Sequence, residues 1–332
     1  MSTPADAVSG TVTYLTICFI GIPFITSYNI ISSIFRGLGD SKSPMCFIAT
    51  ACAANIALDY LFMGVLHLGP AGAALGTTLS QAISVVVSLT VILKRRSIVL
   101  KKSDFKPCRA VMGKILGIGI PIAFQDGLIQ VAFIIITIIA NQRGLNDAAA
   151  VGIVEKVISF LFLVPSSMLS TVSALGAQNI GAGKPDRAIQ TLRYAVMLAA
   201  GFGVLASIAI QFTAEGIVSL FTDPSTADGA AVVRFGGQYL RGYIFDCIFA
   251  GIHFSFSGFF CACRKSGLSF LHNIFAIVLM RVPGVYVTSK LFPATLLPMG
   301  LATAAGSLLS VVICLIAFGV IRRKSTLVLV EE

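Results

Sequence analysis

Six ionisable residues lie inside long apolar stretches of this sequence, and they are the side chains best placed to do chemistry. A charged side chain in hydrocarbon is costly, so such residues commonly pair with each other or mark a path for ions or substrates. The excess of acids over bases favours a cationic substrate over an anionic one. The six are Asp59, Asp126, Glu155, Lys156, Asp246 and Arg281.

The first of these acids, Asp59, follows Asn55 by four residues. This spacing places both side chains on the same face of a helix. Oxygen ligands suit a hard cation such as Na+, and a carboxylate also suits a proton relay. The pair is therefore a candidate cation site. The alternative is that Asp59 lies near a helix end and faces water.

Three further side chains are candidates for binding a cationic substrate or a proton. Gln125 and Asp126 follow Pro121, and proline in a membrane helix frees a backbone carbonyl and tolerates a kink. Alternatively, the two side chains only form hydrogen bonds with neighbouring helices. Glu155 is expected to face a cleft. Its neighbour Lys156 is expected to extend to the membrane surface, because adjacent residues do not share a helix face.

Asp246 and Arg281 carry opposite charges near the middle of two consecutive apolar stretches. A buried pair of opposite charges is the least costly way to place both groups in a membrane. We expect a structural ion pair between two helices. A role of Asp246 in binding substrate or protons remains the alternative.

The composition predicts that helices crossing a membrane position these residues. Apolar residues make up 56% of the chain and charged residues 11%, with a mean hydropathy of +0.93. The apolar residues form long blocks rather than short segments of alternating polarity, which favours a helical bundle over a barrel. The expected fold is an all-α integral membrane protein with nine transmembrane helices at residues 11–35, 45–67, 71–93, 115–140, 148–175, 189–221, 232–260, 268–290 and 296–321.

Basic residues cluster in alternate connections between these blocks, which gives the net charge of +10 a topological meaning. The pattern follows the positive-inside rule and predicts cytoplasmic basic loops and a cytoplasmic C-terminus. It argues against nucleic acid as the partner. The basic clusters lie at Arg36 and Lys42, between Lys94 and Lys114, at Lys184, Arg187 and Arg193, at Arg264 and Lys265, and from Arg322 to Lys324.

An internal repeat with an offset of 228 residues pairs the first three blocks with the last three. Arg36 pairs with Arg264, and the P-x-G-x-A turn at Pro70 pairs with that at Pro298. Both copies share one orientation, as parallel repeats do. We expect three helices to be absent before Met1. The predicted organisation is a partial N-lobe at 1–93, a basic cytoplasmic linker at 94–114 and a C-lobe at 115–332.

Several motifs together resemble the multidrug and toxic compound extrusion (MATE) family over nearly the whole chain. The most specific are R-G-x-G-D within residues 14–44 and Q-N-x-G-A-G within residues 176–188. Further similar strings are NIALDYLF (55–62), GPAGAALGTTLSQ (69–81), GIPIAFQ (119–125), YLRGYIFD (239–246) and RVPGVY (281–286).

The resemblance implies a two-lobe antiporter of six helices per lobe, which expels amphipathic, often cationic drugs in exchange for Na+ or H+ by alternating access. It places the cation site on Asn55, Asp59 and Thr77. An aspartate on the family's first helix has no counterpart in this chain. We expect a monomer in the plasma membrane whose partners are lipid and small drug-like cations.

Two other functions remain open. A lipid or polysaccharide flippase of the same superfamily commonly carries several cationic residues in its cavity, whereas acids predominate in these blocks. The second alternative function is that of an inactive, truncated transporter. No catalytic constellation or metal signature is present in the sequence, and no cofactor is expected other than a coupling ion.

Overall fold

The computed structural model describes residues 5–95 and 106–323 of the chain. These residues form α-helices, two of which continue into π-helical segments, and contain no strand. The helices include nine spans long and apolar enough to cross a membrane, which confirms the predicted helical bundle. The α-helices are α1 (Ala5–Gly37), α2 (Lys42–Asp59), α3 (Gly69–Arg95), α4 (Arg109–Asn141), α5 (Leu145–Leu161), α6 (Leu163–Gly181), α7 (Pro185–Val218), α8 (Ala227–Tyr243), α9 (Phe245–Ala262), α10 (Ser266–Ala276), α11 (Val282–Leu291) and α12 (Leu297–Arg323).

Four of the nine spans are irregular. Helix α2 continues as a π-helical segment, Tyr60–Val65, and a second such segment, Ile277–Arg281, joins α10 to α11. One span breaks at Phe162, between α5 and α6, and another at Ile244, between α8 and α9. Interrupted helices at membrane depth commonly accompany binding sites, because they free backbone groups that need other partners.

Two prolines free backbone carbonyls that side chains then satisfy. Pro165 has no N–H to bond Leu161, and the Cys247 thiol lies 4.0 Å from that carbonyl oxygen. In the same way, Pro121 leaves the Gly117 carbonyl free within a continuous α4, where the Ser266 hydroxyl donates to it over 3.1 Å. The predicted loosening at Pro121 therefore involves one hydrogen bond and does not end the helix.

The chain divides into an N-terminal unit, Met1–Pro107, and a C-terminal unit, Cys108–Glu332. Helix α4 begins at Arg109, so the last residues of the predicted linker 94–114 are helical. The first two residues of that linker belong to α3. Residues 96–105 lie outside the described residues.

The N-terminal unit consists of α1 and α2 packed against α3. Its buried cluster includes Phe35 and Phe47, whose rings meet edge to face with centroids 5.4 Å apart. Close approach of α1 and α3 depends on Gly21, where a Cβ atom would lie 2.8 Å from the Thr78 hydroxyl oxygen. Small residues at such crossings are typical of membrane helices, which associate mainly by close packing.

In the C-terminal unit, α8 and α9 form the central span, and most of their residues are buried against the surrounding helices. Helix α8 crosses α12 at two glycines. A Cβ atom on Gly300 would lie 2.4 Å from the Tyr239 carbonyl oxygen, and one on Gly242 would lie 2.5 Å from that of Leu297. The P-x-G-x-A strings were expected to form turns between helices. They lie instead at the N-terminal ends of α3 and α12, where their small residues allow close helix packing.

The internal repeat needs a local shift at its first connection. Gly39 lies in the turn after α1 and has a φ of 87°. Arg264 lies in the turn after α9 and has a φ of 56°. Both helices close with the same turn, in which Asp40 N–H bonds Phe35 and Lys265 N–H bonds Phe260. The equivalent residues are therefore 225 apart there, not 228, and the predicted pairing of Arg36 with Arg264 is wrong at the backbone level.

Candidate functional site

The predicted cation-binding residues of the N-terminal unit lie close together where α2 changes to the π-helical segment. A Cβ atom on Gly76 of α3 would lie 2.1 Å from Asp59 Oδ1, so this carboxylate lies against the backbone next to Thr77. Asp59 Oδ1 and Asn55 Nδ2 are both buried and find no hydrogen-bond partner within the described residues. Asp59 is the last residue of α2, but its inner oxygen does not face water.

Thr77 follows Gly76 on α3, the residue against which Asp59 packs. The Thr77 hydroxyl donates to the Ala73 carbonyl over 3.0 Å, which leaves its own oxygen lone pairs available. The Tyr14 side chain of α1 is close enough to Asp59 to interact with its charge. The unsatisfied oxygen of Asp59, which lies against the α3 backbone at Gly76, is suited to a proton or to a small hard cation.

Asp246 and Arg281 meet in the C-terminal unit. Arg281 Nη2 donates to Asp246 Oδ2, and the two side chains are 12% and 0% exposed. Asp246 is the second residue of α9, just after the break at Ile244. Arg281 is the last residue of the π-helical segment before α11. The Nε of Arg281 is buried and has no hydrogen-bond partner in the described part of the chain, whereas Asp246 also interacts with the Ser307 side chain.

Two buried tyrosines connect this ion pair with Glu155. Tyr239 and Tyr243 lie one turn apart on α8, with ring centroids 5.5 Å apart, and both interact electrostatically with the ion pair and with Glu155. The Tyr243 hydroxyl has no hydrogen-bond partner among the described residues, and the Tyr239 hydroxyl interacts with the Thr303 side chain. Glu155 is half-buried and accepts a hydrogen bond from the Thr137 hydroxyl over 3.3 Å. Sequence reasoning missed both tyrosines because it considered only residues that carry a charge inside the apolar stretches.

The other candidates of the C-terminal unit lie in different environments. Gln125 is fully buried, and its Oε1 accepts a hydrogen bond from Ser269 over 2.7 Å, which ties α4 to α10. Gln125 thus makes the contact with a neighbouring helix through its oxygen, while its Nε2 is buried and has no partner within the described residues. Asp126 lies on the exposed face of α4, and Lys156 is exposed on α5.

A buried pair of histidines is the second feature that the sequence did not indicate. His253 and His272 have ring centroids 5.5 Å apart. The Nε2 and Nδ1 atoms of His272 lie 2.8 and 3.2 Å from the hydroxyls of Ser257 and Ser310, whereas His253 Nδ1 has no partner in the described residues. Their separation in sequence, on α9 and α10, concealed the contact.

The two most specific motifs shape connections rather than carry chemistry. In R-G-x-G-D, Asp40 Oδ1 accepts from the backbone N–H groups of Lys42 and Ser43 at 3.1 and 3.0 Å, which caps α2. In Q-N-x-G-A-G, Gly183 has a φ of 70° and ends α6, and Pro185 then begins α7. A helix N-terminus readily accepts such a carboxylate, and glycine readily adopts positive φ.

Fold and site together define a multi-pass helical membrane protein with carboxylates at membrane depth in both units. The chain belongs to the MatE family, whose model matches residues 1–61 and 121–287, and this confirms the resemblance inferred from the motifs. It is 30% identical over 306 residues to the "Probable multidrug resistance protein YpnP" of Bacillus subtilis, covering 92% of this chain and 66% of that protein.

A second relative and a solved structure extend the comparison. The chain is 27% identical over 310 residues to the "FAD transporter" of Shewanella oneidensis, covering 87% of this chain and 66% of that protein. The chain thus spans about two thirds of the length of these curated relatives. The "Crystal structure of MATE in complex with MaL6" has the same fold, with a TM-score of 0.89 at 20% identity over 98% of this chain and 72% of that one. The relatives are named as transport proteins rather than enzymes.

Proposed function

We propose that the protein is a secondary active antiporter that exports amphipathic or cationic drugs in exchange for Na+ or H+, by alternating access of two lobes. Acids at membrane depth in both units support this function, since they recognise the positive charge of a drug, a proton or a metal cation. Relatives named as multidrug resistance and multidrug export proteins support the same class of cargo.

The unsatisfied carboxylate oxygen of Asp59 is the observation that carries the proposal. A buried carboxylate without a partner is strongly unfavourable unless it binds a proton or a cation. Asn55 precedes Asp59 by one helical turn and Thr77 follows Gly76, which packs against Asp59, so the side-chain oxygens of these two residues are the proposed further ligands of Na+. Either coupling ion therefore satisfies the group, and exchange between ion-bound and ion-free forms changes the charge inside the N-terminal unit.

In the C-terminal unit, Asp126, Glu155 and Asp246 are the proposed binding groups for substrate or protons. Glu155 keeps only a weak hydrogen bond, from Thr137, and two buried tyrosine hydroxyls lie within electrostatic range of it. Asp246 is already paired with Arg281, so it takes part only when that pair opens. Gln125 positions α4 against α10 through Ser269.

We place the protein in the plasma membrane as a monomer, with the basic connections and the C-terminus in the cytoplasm. Within the C-terminal unit, Arg143 connects the turn after α4 with the turn after α11, where it donates to the Ser289 and Pro293 carbonyls over 2.6 and 2.9 Å. These turns therefore share one end of the unit. The basic connections after α6 and α9 belong to the other end, which the positive-inside rule assigns to the cytoplasm.

The test is ethidium transport into inside-out membrane vesicles that contain the protein. Asp59→Asn removes the charge at nearly constant shape, and we expect it to reduce Na+- or H+-driven transport by roughly tenfold or more, because a neutral amide binds neither ion tightly. Asp186→Asn, an exposed acid at the start of α7, is the matched control and should leave transport unchanged. Full transport by the Asp59 variant would remove this residue from the coupling mechanism.

A further inference from the structure

The C-terminal unit contains a cavity of about 60 Å³ beside the interrupted helices. None of the proposed binding acids is among its lining residues. Its polar lining residues include Arg281, His253 and Asn273, and its apolar lining residues include three phenylalanines. We call it the Arg281 cavity. It is lined by Ile129, Phe133, Phe162, His253, Phe254, Asn273, Ala276, Ile277, Arg281, Gly306, Ser307 and Ser310.

Arg281 brings a positive charge to the cavity lining. It is the only charged residue among the lining residues, all of which belong to the described part of the chain, whereas its partner Asp246 is fully buried and is not one of them. The Nε of Arg281 and the Nδ1 of His253 have no hydrogen-bond partner within the described ranges. His253 is itself only 4% exposed. Unsatisfied polar groups of this kind in an enclosed space indicate a ligand or ordered water.

The fold holds Arg281 in this position. Its backbone ends the π-helical segment, and its Cβ fits against Gly306, where an added Cβ atom would lie only 2.8 Å away. The guanidinium carbon lies 6.0 Å from the centre of the Phe133 ring. The side chain is 12% exposed, so a group from outside can reach it. Nη2 of the guanidinium binds Asp246, and Nε has no hydrogen-bond partner among the described residues.

We propose that the Arg281 cavity binds the carboxylate group of a transported amphipathic compound. Guanidinium matches a carboxylate in shape and charge, and the phenylalanines suit an apolar body. The volume fits a group of a few heavy atoms, about that of two water molecules in the liquid. This inference rests on the proposed function and refines it. Favoured substrates carry an acid in addition to a cationic or aromatic body, so zwitterions are preferred over simple cations.

The experiment compares two dyes that differ in one group. Rhodamine 110 carries a free carboxylate, and rhodamine 123 is its methyl ester. Fluorescence anisotropy of each dye gives its Kd for the purified protein in detergent. We expect the acid to bind roughly 10- to 100-fold more tightly than the ester, the range for a hydrogen-bonded pair with a charged partner.

Three variants locate the preference. Asp246→Asn/Arg281→Gln removes both charges together, and Ala276→Val narrows the cavity without touching the ion pair; both should bring the two Kd values together. Ala209→Val makes the same change on the exposed face of α7 and should keep the preference. Equal binding of the two dyes by the unmodified protein, or the same preference in all variants, would overturn the proposal and assign the cavity to water.

A second measurement separates this proposal from the proposed function. Benzoate and the neutral benzamide are compared for their effect on the unfolding temperature of the purified protein, since a ligand stabilises only the state that it binds. Benzoate should raise that temperature more than benzamide, and the difference should vanish in Ala276→Val. If neither dye binds but benzoate stabilises, drug binding is wrong and the anion site stands. If benzoate gives no additional shift, the anion site is wrong.

Discussion

Removal of one partner of the Asp246–Arg281 pair should strongly destabilise the C-terminal unit. In Asp246→Asn, the guanidinium stays in place, mostly buried and without its carboxylate partner. The resulting cost is that of an uncompensated buried charge rather than that of one hydrogen bond. Loss of one member of a buried pair typically costs about 3–5 kcal/mol.

The expected shift in unfolding temperature follows from the size of the unit, Cys108–Glu332. For domains of this length, 1 kcal/mol corresponds to about 2–4 °C, so Asp246→Asn should unfold roughly 6–20 °C below the unmodified protein. Asp246→Asn/Arg281→Gln should recover more than half of that loss, because no charge remains unpaired. Glu215→Gln breaks the more exposed Glu215–Arg241 pair and should cost less than about 1 kcal/mol.

Thiol accessibility on heating is the appropriate assay, since the chain has no tryptophan. Cys247 and Cys314 are fully buried and become reactive towards a fluorogenic maleimide only when the C-terminal unit opens. Cys108 is exposed and gives a constant background. An Asp246→Asn protein that unfolds within about 2 °C of the unmodified one would refute the reasoning. A double variant as unstable as the sum of the single variants would refute it equally.

Two further predictions concern packing. Arg143→Met should lower the unfolding temperature by the equivalent of about 3–5 kcal/mol, because it leaves the buried Asp147 carboxylate without its cation and the Ser289 and Pro293 carbonyls without a charged donor. Arg193→Met, at an exposed site, is the control, and equal shifts would contradict the assigned contacts. Gly300→Ala should cost about 1–3 kcal/mol of stability or prevent folding, since its Cβ would meet the Tyr239 carbonyl. Gly267→Ala, whose Cβ would have nothing within 4 Å, is the control and should leave the stability unchanged. A stable Gly300 variant would show that α8 and α12 separate easily.

Hydropathy predicted the spans well because a bilayer imposes one strong requirement, about twenty consecutive apolar residues in helical conformation. The meeting of Asp246 with Arg281 followed from the same cost of isolated charge. Asp59, Asn55 and Thr77 could be grouped only through helix periodicity and the family resemblance. Their proximity in the structure adds the unsatisfied oxygen, which no sequence pattern contains.

The interruptions of the helices were beyond sequence reasoning for a different reason. The break at Phe162 has a local cause in Pro165, which removes the donor to Leu161, yet Pro121 removes a donor in α4 without a break. What differs is the partner, a thiol at 4.0 Å in the first case and a hydroxyl at 3.1 Å in the second. Tertiary contacts therefore decide which proline interrupts its helix.

The sequence also shows how many charges lie at membrane depth but not which of them act. Counted singly, four acids oppose two bases. In the structure, Asp246 and Arg281 cancel each other, and Asp126 and Lys156 are both exposed, so Asp59 and Glu155 form the partly buried acidic surplus. The cancellation is not symmetric, because Asp246 is enclosed while Arg281 lines a cavity. One pair that is neutral overall therefore has its positive member at the cavity, and a count of acids alone does not reveal the anion site proposed there.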